Sequence, residues 1–563
     1  METSLATTLT QRSGTLNTKL AALLLRRASF RFTREMVEDL AGRTAASAVN
    51  LLFNNPAPAP YLERPLHYDD RDDIDWIPTG SNIAETLRRQ YVAAWWFQNA
   101  LLDHTAHHKS AFFLHTTFTV GYSGVVAPGG QNKDVSRYFY DHLRLLNWTT
   151  QVGMSLKTVA KKITLDNMML VYLDNRANFK EPDLNENYGR EFLELFTIGA
   201  GDNTPNYTEA DITEASKVFT GFTNFVSRNT VDPENIDPDT SFPRGKIDPT
   251  KHEPGDKTFS SLFNNAVITG ETVPTQAGML DEMDQLVDLV FGRFETAQNY
   301  ARKIFRFYVS TTIDETAVTD IANDLVANNF RFINTIKKLL KSDYFYSKCS
   351  PDYGGGDIIK NPFELLSESM SFFGTNLPEI TDPTDRSQLE DHFRLFGSLF
   401  MHNQLGLNSG MVFLSPINVA GYPAYYQAPL FDKSWYSAGT NPTRFGIPHE
   451  LINNNFRRGI EIDTLAYVIY LHEQKGIDVS DADILMGEMI DYFFPQNITQ
   501  ERYDLLKGIF LMDLSELNWF FEWFLYYGGG PQNFPGDGDE NRVRPHTDAL
   551  VTAILSSHEF QLK

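Results

Sequence analysis

The chain of 563 residues has a single cysteine, Cys349. That excludes an intramolecular disulfide framework, a Cys-rich zinc site and a thiol relay. No His lies near it in sequence, so Cys349 reads as a buried or half-exposed thiol. Apolar runs are short and none approaches the ~20 residues that span a bilayer. The N-terminal run Leu20–Leu25 is too short for a signal core, and Arg26 and Arg27 follow it rather than precede it. A cytoplasmic location is therefore the default expectation, with export only alongside a signal-bearing partner. Positive charge is scarce: 49 Lys and Arg stand against 72 Asp and Glu, a formal net charge of −23. Such a surface repels phosphate backbones and anionic lipid, so nucleic acid and membrane insertion are both poor expectations. Strand-like alternation is sparse. There is no G-x-S-x-G elbow, P-loop, HExxH or dinucleotide fingerprint.

What is abundant is helical periodicity and aromatic bulk, with 42 Phe, 24 Tyr and 7 Trp to fill a large core. The fold expected is mainly α, a large multi-helix globular bundle with long irregular loops and little or no β-sheet. Two regions are expected, 1–350 and 351–563, the second packed on the first or continuous with it. Thr33, Thr208 and Ser480 fit helix N-caps. Trp95–Trp96 reads as core. His104, His107 and His108 have helical spacing, but the adjacent Lys109 suggests an exposed face. The Pro-rich segment Asn54–Pro65, the acidic run Asp69–Trp76 and the Gly354–Gly356 break read as loops, and a helix is expected over Asp391–Phe400. Residues 224–258 form a loop rich in Pro, Asp and Gly, long enough to suggest a function and holding at most a short hairpin. One echo recurs: INTIKKLLKSDYFYS (Ile333–Ser347) and DALVTAILSSHEFQ (Asp548–Gln561) both run from a helix into Ser, an acidic residue and Phe.

The chemistry concentrates between Tyr172 and Gly221, where Asp, Asn and Glu crowd around two helix starts. Glu191 and Glu194 stand i, i+3 and point to one side of a helix. With His115, Glu186 and His252 they make a candidate mixed N/O set for one divalent metal ion, serving a hydrolase or oxidoreductase. The bland alternative gives the same residues structural work: Asn185 and Glu186 at a helix start, Arg190 paired with Glu194, His252 holding the loop. Asn185, Asn187, Arg190, Asp256 and Lys257 are then interaction or structural residues.

The segments LLLRRASF (Leu23–Phe30), NENYGREFLELFTIGAG (Asn185–Gly201), YTEADITEASKVFTGF (Tyr207–Phe222), HEPGDKTF (His252–Phe259), KNPFELL (Lys360–Leu366), SPINVAGYP (Ser415–Pro423) and LSSHEFQ (Leu555–Gln561) resemble, in order, the bacterial family called domain of unknown function 1800. The family has no settled activity. The resemblance implies a protein partner, because members often lie beside genes for a sulfatase-like family, domain of unknown function 1501. A helical scaffold or partner of such a protein is the leading expectation, and the metal-dependent enzyme is the alternative. Where the family commonly has Trp-His-Asn-His-Phe, this chain has Leu114-His115-Thr116-Thr117-Phe118, so the second His is replaced by Thr117.

Overall fold

The computed structural model describes residues 8–56, 85–122, 133–201, 204–225, 235–349 and 358–375, scattered positions from 379 to 416, and residues 418–453 and 460–563. Most of the Pro-rich segment, the acidic run 69–76, the Gly354–Gly356 break and most of the helix expected over 391–400 lie outside them. The described chain is mainly α, with two small two-stranded antiparallel sheets. Among the described residues no helix is long and apolar enough to cross a membrane.

Local chemistry sets the helix starts. Asn17, Thr33 and Thr44 each accept a backbone N–H as N-caps. Thr208 closes a capping box with Asp211. Asp481, not Ser480, caps the helix Ala482–Phe493, because its carboxylate reaches two backbone N–H groups. The long loop is more ordered than expected: Phe222–Thr223 pairs with Lys246–Ile247, and Lys257–Thr258 with Val267–Ile268. The echo is a real local repeat. Ser342 Oγ donates to the Leu339 carbonyl and accepts from Phe345 N, and Ser557 Oγ does the same with Ile554 and Phe560. Each pattern drives a Phe into the core.

Trp95, Trp96 and Cys349 are buried as expected. The exposed face expected around Lys109 is wrong: His107, His108 and Lys109 are all buried. His108 Nδ1 lies 2.6 Å from Asp103, and Lys109 pairs with Glu364. Lys109 belongs to a buried ionic cluster. Arg26 meets Glu368 at 2.8 Å, Lys360 meets Glu368 at 2.6 Å, and Lys563 joins Lys109 on Glu364. Arg27 donates to the carbonyls of Val309 and Lys563. These pairs join positions on both sides of residue 350.

Candidate functional site

A cavity of about 260 Å³ opens where four segments converge. The helix His107–Thr117 contributes Phe113, Thr116 and Thr117. The helix Phe294–Tyr308 contributes Asn299, Lys303, Arg306 and Phe307. Steps of four and three residues put Asn299, Lys303 and Arg306 on one face, while Tyr300, Ala301, Ile304 and Phe305 are buried in the core. Val419, Ala420, Tyr425 and Tyr426 close another wall.

The fourth segment carries Glu194 and Leu195. The helix Asn187–Glu191 continues into a π-helical turn, Phe192–Phe196. Side chains of the Phe294–Tyr308 helix take up the carbonyls at its end. Lys303 Nζ donates to Leu195, Tyr300 Oη to Phe196, and Asn299 Nδ2 to Thr197 at 2.7 Å. The turn is thereby held against the cavity. Behind it, a Cβ at Gly189 would come within 2.1 Å of Ser216 Oγ, so only glycine lets this helix lie against Glu209–Val218.

Two groups here titrate near neutrality. Burial, helped by the Arg306 cation, pushes the Lys303 amine down to about 7. Burial, then the neighbouring Glu194 carboxylate, pushes the Glu191 carboxyl up to about 7 against the pull of Arg190. Glu194 accepts from Tyr207 Oη at 3.2 Å. The cavity thus presents two cationic side chains, one carboxylate and an aromatic lining, with an amine able to take or give a proton at neutral pH.

The five residues expected around one ion do not form one set. Glu191 and Glu194 are neighbours, and Glu194 lines the cavity. Glu186 instead accepts from Thr213 at 2.5 Å. His252 is buried, with Nδ1 beside the Thr220 carbonyl at 2.9 Å and Nε2 at 3.2 Å from Glu282, which also binds Lys257. His115 is buried beside His142. Among the described residues no three His, Cys, Asp or Glu side chains are grouped to hold a metal. Arg190 pairs with Glu209 through two bonds, at 3.0 and 2.6 Å, rather than with Glu194. Asn185 and Asn187 reach back to the carbonyls of Asp174 and Leu173 and brace the helix start. Asp256 accepts from Gly270 N. Thr117, in place of the second His, lines the cavity.

Lys303, Arg306 and Asn299 escaped the sequence reading because the polar face of an amphipathic helix looks the same whether it meets solvent or a cavity. Their spacing was the only available signal. No curated protein and no solved structure matches the chain. A family model matches residues 23–562, and the segments LHTTF, NENYGREFLELFTIGAG and SPINVAGYP within that span all contribute to the cavity wall. The chain belongs to the family described as protein of unknown function (DUF1800).

Proposed function

We propose that the chain binds a small anionic molecule in this cavity and that Lys303 and Glu194 move protons on it. The observation that carries the reading is the convergence of Glu194, from the π-helical turn, with Lys303 and Arg306, from the Phe294–Tyr308 helix, on one partly aromatic cavity. Arg306 and Lys303 suit a carboxylate, phosphate or sulfate group. An amine near half protonation accepts a proton as readily as it returns one. Thermal unfolding in the presence of small carboxylates, phosphate esters and sulfate esters tests it. One class should raise the midpoint of the wild type and leave Arg306→Met and Lys303→Met unmoved. No shift with any class, or equal shifts in both variants, counts against the reading.

A second reading, the scaffold or partner of a sulfatase-like protein, is favoured by a separate observation. Leu505, Ile509, Met512, Leu514, Leu517 and Phe521 are exposed along the helices Gln500–Leu511 and Glu516–Tyr527 and the turn between them. A run of exposed large apolar side chains in one hairpin suits a protein contact. Native co-purification should bring down a sulfatase-like chain, and Leu514→Asp with Leu517→Asp should release it. A clean monomer from the native source argues against this reading.

A further inference from the structure

Next to cavity-lining Thr116, two imidazoles meet in the core with more nitrogen lone-pair capacity than their protein neighbours use. His115 is 1% exposed and His142 0%, and their ring centroids lie 6.3 Å apart. Among the described residues, neither ring nitrogen of His115 has a hydrogen-bond partner, and neither has Nε2 of His142. Nδ1 of His142 lies 3.0 Å from Asp166, whose side chain also caps the helix Asn167–Tyr172. A carboxylate at Nδ1 keeps the proton there and leaves Nε2 as a lone pair, the arrangement by which histidine presents itself to a metal. Each buried polar atom left without a partner costs about 1–3 kcal/mol, so an occupant bonded to one nitrogen of each ring, relieving two of these three atoms, is favoured.

The separation selects the occupant. With a metal–nitrogen bond of about 2.0 Å and a ring nitrogen about 1.1 Å from its centroid, rings sharing an ion stand about 5 Å apart at a tetrahedral angle and about 6 Å apart near linearity. The observed spacing fits the near-linear case. Zinc takes four donors, and among the described residues no third His, Cys, Asp or Glu completes such a group. Charge points the same way. One carboxylate, Asp166, balances one positive charge, whereas a divalent ion would leave a net charge buried.

We propose that His115 and His142 form a buried two-coordinate site for monovalent copper, with Asp166 orienting His142 and balancing the charge. The site is independent of whatever occupies the cavity. The full chain, purified without a tag, is loaded with cuprous ion under reducing, oxygen-free conditions and titrated against the chromophoric cuprous chelator bicinchoninate. X-ray absorption then reads the coordination. The wild type should retain one cuprous ion per chain with two nitrogen neighbours in a linear arrangement. His115→Asn and His142→Asn should each lower retention by about tenfold or more, and His104→Gln, at an exposed position, should not. Asp166→Asn keeps a good helix cap and should weaken binding by about tenfold, so it decides the matter if the histidine variants fail to fold. Failure of the wild type to hold cuprous ion against the chelator overturns the proposal. So does retention unchanged in Asp166→Asn or in folded histidine variants, or a spectrum that is not two-coordinate.

Discussion

Burial, with the His142 ring as the lesser cause, pushes the His115 imidazole from 6.5 down to about 3. The unfolded chain takes up a proton on this ring as pH falls through 6.5, and the folded chain does not until about pH 3. Acid therefore favours unfolding across that window. At pH 4.5 this single group costs the fold about 3 kcal/mol. His115→Leu should accordingly lose about 3 kcal/mol less stability than wild type between pH 7 and pH 4.5 in urea unfolding. Equal losses would place the acid sensitivity at other groups. Glu191 carries the opposite sign. Its raised folded value, about 7, means that the folded chain keeps a proton the unfolded chain has already released, so its contribution falls as pH rises from about 4.5 to 7. Glu191→Gln should gain stability relative to wild type between pH 4 and pH 8. No relative gain over that range would show that this carboxyl ionises freely.

At the scale of elements, the π-helical turn Phe192–Phe196 joins fold to cavity. An extra residue in the turn delivers the Leu195, Phe196 and Thr197 carbonyls to three side chains of the Phe294–Tyr308 helix. Deleting Leu195 lets the segment close as an ordinary α-helix and slides Phe196 and Thr197 out of register. Helical circular dichroism should survive, while stability falls by about 2–3 kcal/mol for the lost hydrogen bonds and any ligand-induced stabilisation disappears. Unchanged stability would mean that the turn is incidental. Sequence patterns reached the mainly α class and the caps at Thr33 and Thr208, because capping chemistry lies within three residues of the helix start. They did not reach what partners decide at a distance. Lys109 reads as solvated until Glu364 is placed beside it, and His252 reads as a loop residue until Glu282 arrives from another helix. The helix at Asn187 was legible, but its π turn was not, since the carbonyls it redirects are satisfied by residues about 100 positions away.

The whole molecule carries a net charge of −23, yet a cluster of cations is buried within it. Arg26, Arg27, Lys109, Lys360 and Lys563 are buried with the carboxylates of Glu364 and Glu368. Glu364 serves both Lys109 and Lys563, so Glu364→Gln should destabilise the chain by about 3–5 kcal/mol by stripping two buried amines of their counter-charge. A denaturant midpoint at pH 7 reads this, and a loss under 1 kcal/mol would mean that water relieves the amines. Burial is also the largest influence on Lys360 and Lys563, lowering each to about 7 despite the neighbouring carboxylates. Between pH 7 and 10 the unfolded chain therefore binds more protons than the folded one, and stability should rise from pH 7 to pH 9. A flat profile would show that these amines stay charged inside. The cluster also has a consequence for how the protein is made. Arg26 and Lys109 leave the ribosome 342 and 255 residues ahead of the glutamates that neutralise them. At synthesis rates of about 5–20 residues per second that interval is on the order of tens of seconds. Over that time the nascent first half holds cations it cannot bury, so its final packing waits for the second half to be synthesised.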